Sequence, residues 1–408
     1  MQKIKSFISI LGFLILFQHG FAQSSAVMYN DAVDLMRKAK YTEAIEIYNK
    51  IIAKSPFYYE AYADRGNCYF ALGKNAEALK DYNTSISKNK EYYLVYYYRG
   101  IYYLSQKDYK LALSDFNKTI SIKPNFASVY QKRAVMYYES NDYEKALADY
   151  NKSMDYDKFN ASLYFGRGNV YAKQKKYTEA NADFTKAIEL KSDYAEAFHE
   201  RAKLNWEKAY PTLAINDLTK LISMNYNLKE ILTERGNAYY QIKKYSEALA
   251  DYNQLTTMLK VTLPEIYMKK ANCNAVLGNT DIAIKDYTKL TTSVRDNEEA
   301  WIKRGELYAK LNKIPQAIAD FRKALVINPK STDAYKGRAK MYINQKRYDL
   351  AMDDLNEAIK IKQDGEAYYL RGAIKSVKND DKGSCADLKI AANLGFEEAV
   401  LKVSELCP

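Results

Sequence analysis

Arginine and aspartate recur along the chain in a fixed register, which makes them the first candidates for charge-based chemistry. Each arginine directly precedes a glycine or alanine: Arg65, Arg99, Arg133, Arg167, Arg201, Arg235, Arg304, Arg338 and Arg371, with Lys270 in the same place once. The aspartates keep step: Asp81, Asp115, Asp149, Asp183, Asp217, Asp251, Asp286, Asp320, Asp354 and Asp387. A planar guanidinium can hold a carboxylate at two points.

This pattern has two interpretations. In one, a row of arginines grips an acidic ligand. In the other, internal salt bridges fix the register of the recurring units. We favour the internal salt bridges, because the acids recur in step with the bases. The pairs could form within a unit, as Arg65 with Asp81, or between units, as Asp81 with Arg99. The residues leave this choice open.

Residues for catalysis or metal binding are scarce. The only histidines are His19 and His199, which argues against a multi-histidine metal site or a histidine relay. No glycine-rich phosphate loop, paired-histidine zinc motif, CxxC pair or nucleophile elbow occurs. We therefore predict that the chain is not an enzyme and has no cofactor, metal ligand or catalytic residue. Asn-x-Ser/Thr sequences fall in predicted helices and are interpreted as chance: Asn83, Asn117, Asn151 and Asn160.

The four cysteines are of two kinds. Cys68 and Cys273 lie six units apart, too far for a disulfide, and are expected to be small buried residues. Residues 385–393 and 396–406 read as two short helices that Gly395 separates. An antiparallel arrangement would join Cys385 to Cys407 and staple the end of the fold, with two free thiols as the alternative.

The elements that position these residues follow from an internal repeat. The small residue after each basic residue forms a series with steps of 34, except 35 before Ala271 and 33 before Gly372, and Ala32 extends it backward. Aromatic residues recur four positions before and three positions after this slot, and an alanine recurs twelve after it. Spacings of 3, 4 and 7 place apolar residues on one helical face. Each unit is therefore predicted to hold two helices that cross closely at the small residue.

The period and the small and aromatic slots closely resemble the tetratricopeptide repeat, with its W-x2-L-G-x2-Y…A-x3-F…P pattern. The resemblance runs from residue 25 to about residue 395 and gives eleven units. It departs from the pattern where arginine replaces the usual apolar residue before the small slot, and where Asn205 and Asn274 replace the aromatic. It implies an all-α, right-handed superhelical solenoid of antiparallel helix pairs over residues 23–395, with a capping helix at 396–408.

In solenoids of this family the first helix of each pair lines a concave surface that usually binds a peptide or partner segment. Asparagines just after the small slot are expected on that surface and could hold a peptide backbone: Asn67, Asn169, Asn237 and Asn272. Aromatic residues are expected there too: Phe70, Tyr97, Tyr98, Tyr138, Phe165, Trp206 and Tyr240. The alternative is that these side chains pack between units.

The first residues predict export. Lys3 and Lys5 precede an apolar run from Phe7 to Phe17, which is shorter than a membrane span, and small residues follow it up to Ala22. We therefore expect residues 1–22 to be a cleaved signal peptide, no transmembrane segment in the mature form, and a periplasmic or extracellular location. The net charge is +12, but basic and acidic residues are interleaved, as on a solvated helical surface and not a nucleic-acid stripe.

These features together predict an exported scaffold or adaptor that binds a partner protein or peptide in the concave groove, and not nucleic acid. Two other functions stay open. One is a component of an envelope assembly or secretion machine. The other is a glycan or cell-wall binding module, because a tyrosine-rich groove can stack on sugars. The partner and the oligomeric state cannot be read from the residues.

Overall fold

The computed structural model describes residues 25–407, and over this range it contains helices and no β-strand. The predicted signal peptide at 1–22 lies outside the described residues. The chain divides into two compact units, Met1–Leu204 and Asn205–Pro408. In both units the helices form successive pairs, which confirms the predicted all-α fold of paired helices.

The first unit contains helices α1 to α10. Their bounds are 25–37 for the described part of α1, then Tyr41–Lys54 (α2), Tyr59–Ala71 (α3), Asn75–Lys88 (α4), Tyr93–Ser105 (α5), Tyr109–Ile122 (α6), Ala127–Glu139 (α7), Tyr143–Tyr156 (α8), Ala161–Lys173 (α9) and Tyr177–Leu190 (α10). Helix α11, Ala195–Glu207, contains the boundary between the units.

The second unit continues with helices α12 to α23. They are Pro211–Ser223 (α12), Leu228–Gln241 (α13), Tyr245–Asn253 (α14), Pro264–Val276 (α15), Thr280–Ser293 (α16), Glu298–Lys310 (α17), Ile314–Ile327 (α18), Thr332–Asn344 (α19), Tyr348–Ile361 (α20), Gly365–Val377 (α21), Asp381–Asn393 (α22) and Glu397–Leu406 (α23). Helix α23 lies within the segment predicted as a cap.

The small slot exists because an aromatic ring of the second helix packs against the first. A Cβ atom on Gly66 would lie 2.7 Å from the ring of Tyr82, and one on Gly168 would lie 2.8 Å from the ring of Phe184. Both rings are fully buried. A larger side chain would force ring and helix apart, which overpacks the core. The crossing of the paired helices is thus set by a ring fitted over glycine or alanine.

The irregular step before Ala271 has a visible structural basis. Helix α14 continues directly into a π-helical segment, Gln254–Met258, and residues 259–263 connect it to α15. One extra residue in a helix is commonly accommodated as a π turn. The shorter step before Gly372 falls in a brief connection, residues 362–364, between α20 and α21.

The turn inside each pair uses one residue with a left-handed backbone. Gly73 has φ of 74°, and Lys107 and Lys175 in the equivalent turns have φ of 59° and 58°. After α3, the Gly73 and Lys74 amides donate to the carbonyls of Phe70 and Tyr69 and so complete the helix C-terminus. These tight turns hold the two helices of a pair side by side.

Candidate functional site

The arginines and aspartates of the repeat meet within each repeat. The Arg65 Nε and Nη2 atoms of α3 donate to the two carboxylate oxygens of Asp81 on α4, at 2.7 and 2.8 Å. The same two-point geometry is found at seven further pairs: Arg99–Asp115, Arg133–Asp149, Arg167–Asp183, Arg235–Asp251, Arg304–Asp320, Arg338–Asp354 and Arg371–Asp387. The carboxylates are buried in every pair.

The remaining guanidinium nitrogen reaches the preceding repeat. Arg65 Nη1 donates to the Asn49 amide oxygen of α2 at 2.6 Å, sixteen residues before it. Equivalent bonds run from Arg99 to Asn83, Arg133 to Asn117 and Arg167 to Asn151, and a threonine replaces asparagine for Arg201, Arg235 and Arg304. Most arginines of the row therefore bind their own second helix by an ion pair and the preceding second helix by a hydrogen bond. Arg338 has the ion pair with Asp354, and Arg322 stands where its asparagine or threonine partner would be.

Aromatic rings flank the same guanidinium groups. The Arg65 guanidinium carbon lies 5.5 Å from the centre of the Tyr62 ring and 5.7 Å from that of Tyr69. Arg167 lies 5.8 Å from both Tyr164 and Tyr171. These tyrosines occupy the two aromatic positions of the repeat, three residues before and four after the arginine. A cation over an aromatic ring is stabilising, so the tyrosine slots and the arginine slot form one packed unit.

Three of the Asn-x-Ser/Thr sequences have a structural origin. Asn83, Asn117 and Asn151 accept from the arginines of the next repeat. The hydroxyl residues two positions later are fully buried, and Ser85 donates to the Tyr59 carbonyl at 2.8 Å while Ser153 donates to the Ala127 carbonyl at 2.9 Å. Two repeat positions that serve packing thus create the sequence pattern.

The first helices of neighbouring repeats in the first unit contact one another, α3 with α5, α5 with α7 and α7 with α9. In the second unit, α13 contacts α15, α17 contacts α19 and α19 contacts α21. We call the surface that the side chains of these first helices form within either unit the first-helix face of that unit. The asparagines and aromatics predicted to bind a partner lie on first helices of the two units. The predicted residues therefore lie on the expected helix of each pair.

Three of the predicted asparagines already accept hydrogen bonds from tyrosines within the fold. Asn67 accepts from the Tyr82 hydroxyl at 3.0 Å, and Asn237 accepts from Tyr252 at 3.0 Å. Asn272 accepts from Tyr287 in the same way. The tyrosine lies fifteen residues later in each case. Asn169 is half-buried, and the ring at its equivalent position is a phenylalanine. The amide nitrogens of Asn67 and Asn272 also donate once each, to Asp64 at 3.5 Å and to the Tyr240 hydroxyl at 3.2 Å. A bound peptide would therefore meet the remaining amide hydrogens of this row.

The predicted aromatic residues are half-buried rather than fully packed. The Phe70 ring meets Tyr102 edge-on at 5.8 Å, Tyr138 lies 6.1 Å from Tyr143, and Tyr240 lies 5.6 Å from Tyr245. Trp206 is half-buried in α11. These three ring pairs join the first and second helices of one repeat or neighbouring first helices, so the side chains pack on one side and stay partly accessible on the other.

A cleft of about 620 Å³ opens on the first-helix face of the first unit. Helices α1, α3 and α5, the first residue of α2 and the residue before α5 supply its walls: Tyr29, Asn30, Val33, Met36, Arg37, Tyr41, Asp64, Asn67, Ala71, Tyr92, Leu94 and Tyr98. Asn67 and Tyr98 are predicted partner-binding residues, and the structure brings them together here. Asp64 was not predicted. Its position, directly before the arginine, is acidic in two other repeats, at Glu200 and Glu234, so the repeat pattern does not distinguish Asp64.

Asp64 is a buried carboxyl group with weak compensation. It is 7% exposed, accepts from the Tyr29 hydroxyl at 2.5 Å and faces the Asn67 amide nitrogen at 3.5 Å. Burial raises the pKa of Asp64 to about 6, with the Glu60 charge adding to the rise and the bond from Tyr29 opposing it. Burial together with the Asp64 charge raises the pKa of Tyr29 and Tyr92, so these phenols stay neutral.

The cysteines take up the two predicted kinds of environment. The structure links Cys385 of α22 to Cys407 after α23 by a disulfide, with Cα atoms 5.5 Å apart. Cys68 and Cys273 are free and fully buried, as expected. Burial raises the pKa of both free thiols to about 12, with the Asp64 charge contributing at Cys68. Such thiols are poor nucleophiles at neutral pH.

None of the helices among residues 25–407 has the length and apolar character that a membrane span requires. The described helices are therefore not membrane spans.

Solved structures with similar helical repeats include the following three. MamA 41-end from Desulfovibrio magneticus RS-1 is 20% identical over 42% of this chain and 96% of its own, with a TM-score of 0.37. Yeast Tom70 is 14% identical over 94% and 96%, with a TM-score of 0.39. The C-terminal part of a TPR repeat-containing protein from Cytophaga hutchinsonii is 22% identical over 67% and 97%, with a TM-score of 0.41. No curated protein matches the chain.

Family models described as TPR repeat match residues 134–175 and 168–208. Models described as tetratricopeptide repeat match residues 29–90, 70–125, 298–331 and 332–364. Together the matched residues make up more than half of the chain, in both structural units. The matched segments coincide with the helix pairs and with the small and aromatic slots described above. The chain belongs to the tetratricopeptide repeat family.

Proposed function

We propose that this protein is an exported scaffold that binds an extended segment of a partner protein on its first-helix face. The observation that carries the proposal is the division of polar groups between two surfaces. The side chains of the arginines and aspartates are engaged in ion pairs and hydrogen bonds between helices. In contrast, Asn67 and Tyr98 line an open cleft. The polar and aromatic side chains that a ligand could contact therefore lie on the first-helix face.

The half-buried aromatics support a protein partner. A tyrosine or tryptophan with one packed edge and one accessible edge offers a large contact at low cost in side-chain entropy, which suits an interface. Phe70, Tyr138 and Tyr240 each have one ring neighbour within the fold and remain partly accessible. An asparagine amide nitrogen beside them can donate to a peptide carbonyl without reading the peptide sequence.

Export is supported by two independent features. Residues 1–22 have the basic start, apolar run and small residues of a secretory signal. The Cys385–Cys407 disulfide at the other end is of a kind that persists in oxidising compartments. These features support the proposal that the protein acts in the periplasm or outside the cell. Fusing residues 1–30 to a reporter that is active only after export tests this, and a reporter retained inside the cell contradicts it.

Site-specific photo-crosslinking tests the binding face in the cell. A photoreactive phenylalanine replaces Tyr98, Tyr138 or Tyr240 in turn, and as controls it replaces Phe57 and Phe159, which are each 84% exposed outside the helices. We expect protein adducts from the three first-helix positions and none from the controls. Adducts only from the controls would contradict the proposal. Adducts that carry glycan in place of protein would favour the cell-wall alternative.

A further inference from the structure

The carboxylates of this protein fall into two environments. The repeat aspartates are buried against a guanidinium that binds both oxygens, as for Asp81 with Arg65. Asp64 is equally buried, at 7% exposed, but its hydrogen-bond partners are a phenol and an amide. Among residues 25–407 no basic side chain forms an ion pair with it. A buried carboxylate with no cation is costly.

A second carboxyl group beside Asp64 adds to the negative charge. Glu60 lies one turn earlier on α3, and its charge raises the pKa of Asp64. The Glu60 Oε2 atom is buried without a hydrogen-bond partner in the described chain. The basic residue of the cleft wall is Arg37, whose exposed side chain pairs with Asp34 at 3.0 Å. The acid of the cleft wall, Asp64, therefore has no paired base among the described residues and lies near a second acid on the same helix.

The walls beside Asp64 are aromatic. Tyr29, Tyr92 and Tyr98 line the same cleft, from α1, from the residue before α5 and from α5 itself. Ring faces attract a cation, and the attraction grows where water is excluded. A carboxylate still has free lone pairs after accepting one hydroxyl and one amide. Carboxylate and rings together form a site for a positively charged group on a slender stem.

We propose that this cleft binds the basic side chain, lysine or arginine, of the partner segment that lies on the first-helix face. The aliphatic stem passes between the tyrosine rings and the charged head reaches Asp64. The inference rests on the proposed function and makes it specific: the site selects for a cation at one position of the partner. Charge complementarity identifies the occupant, because the cleft wall contributes one unpaired carboxylate and tyrosine rings, and the cation supplies the partner that Asp64 lacks within residues 25–407.

Synthetic peptides test this with the full chain. Dye-labelled, acetylated and amidated decapeptides of serine and glycine contain two central residues that are lysine, arginine, norleucine or glutamate. Fluorescence anisotropy at low salt measures their affinity. We expect the lysine or the arginine peptide to bind at least tenfold more tightly than the norleucine peptide, which keeps the stem and lacks the charge. Equal binding of norleucine would overturn the proposal without any substitution in the protein.

A matched pair of variants locates the site. Asp64→Asn keeps an acceptor for Tyr29 and removes the charge, whereas Asp31→Asn removes an exposed charge from α1. We expect at least a tenfold loss of basic-peptide affinity in Asp64→Asn and less than a twofold change in Asp31→Asn. Equal effects would overturn the proposal. Crosslinking at Tyr138 and Tyr240 is independent of this cleft, so its success beside a failed peptide test would leave the face as the binding site and remove only the cation pocket.

Discussion

The repeat that contains Arg167 and the repeat that contains Lys270 use the same position with different cations. Arg167 binds Asp183 through two nitrogens at 2.8 and 2.7 Å, donates to Asn151 at 2.6 Å and lies between two tyrosine rings. Lys270 Nζ lies 3.6 Å from Asp286, and its ring neighbour Tyr267 is 6.0 Å away. The ammonium reproduces only part of the guanidinium contacts.

In the repeat that contains Lys270, another side chain supplies part of the missing contact to Asp286. Asn274, which replaces the aromatic after the small slot, is buried and donates to Asp286 at 3.0 Å. Even so, burial keeps the pKa of Asp286 above its usual value, against the effects of Lys270 and Asn274. Lys270 also donates to Thr256 of the preceding repeat at 3.4 Å. The difference is that the planar guanidinium holds its carboxylate by two short bonds, whereas the compact ammonium makes one longer contact.

The largest expected effect comes from removing one guanidinium. Arg167→Leu should lower the free energy of unfolding by about 3 to 4 kcal/mol, because Asp183 stays buried without its cation. Urea unfolding followed by circular dichroism measures it. Arg37→Leu is the matched control, since its exposed pair with Asp34 should contribute less than about 1 kcal/mol. A loss at Arg167 no larger than the control would break the comparison.

In the part of the chain that the structure describes, Asp64 is a buried carboxyl group that has no basic side chain paired with it, unlike Asp183 and Asp286. Its pKa is about 6 in the folded chain against an ordinary 3.8, so between about pH 4 and 6 the folded state binds more protons than the unfolded state. Stability contributed by this group is therefore lost as the pH rises through that window, by up to about 3 kcal/mol. Asp64→Asn should raise the urea midpoint at pH 7 and flatten its pH dependence between pH 4 and 6. A lowered midpoint at pH 7 would contradict this.

Arg167→Lys sharpens the comparison by making the first repeat resemble the second. The variant keeps the charge but loses the second bond to Asp183 and the bond to Asn151. Bonds to charged groups contribute about 1.5 kcal/mol or more each, but the flexible ammonium and water recover part of this. We expect a loss of about 2 kcal/mol in urea unfolding. A loss below about 0.5 kcal/mol would show that only the charge matters.

The reverse exchange should have the smallest effect. Lys270→Arg combined with Asn274→Tyr restores the usual residues, and we expect a gain of about 1 kcal/mol in the free energy of unfolding. Lys270→Arg alone should gain less, because Asn274 already occupies one carboxylate oxygen of Asp286. The neighbouring π-helical segment Gln254–Met258 limits the gain by altering the helix before it. A larger gain from the single variant would contradict this account.

The period of the small residues predicted the paired helices, because glycine at Gly66 or Gly168 is required by a ring that packs there. Recurrence of both charges in step predicted that the arginines pair with the aspartates. Spacing alone could not decide which repeat supplies the partner, since the guanidinium fork points in two directions and joins Asp81 in its own repeat and Asn49 in the preceding one.

Other features had no periodic signal. The position of Asp64 is acidic in two other repeats and not in the rest, so nothing in the repeat pattern distinguished it from a solvated acid, and only the contact of three helices shows it as buried. The step of 35 residues indicated one inserted residue. It did not indicate that a π-helical segment would accommodate that residue. The asparagines were predicted on the correct helix, yet their bonds to Tyr82, Tyr252 and Tyr287 depend on ring positions that sequence spacing does not specify.

The central claim is that the guanidinium couples the helices and the charge alone does not. A double-mutant cycle between Arg167 and Asp183, both changed to leucine, measures their coupling free energy by urea unfolding, and the same cycle is made for Lys270 and Asp286. We predict a coupling free energy of about 2 kcal/mol for the arginine pair and below about 1 kcal/mol for the lysine pair. Equal couplings, or a larger one for Lys270 and Asp286, would contradict it.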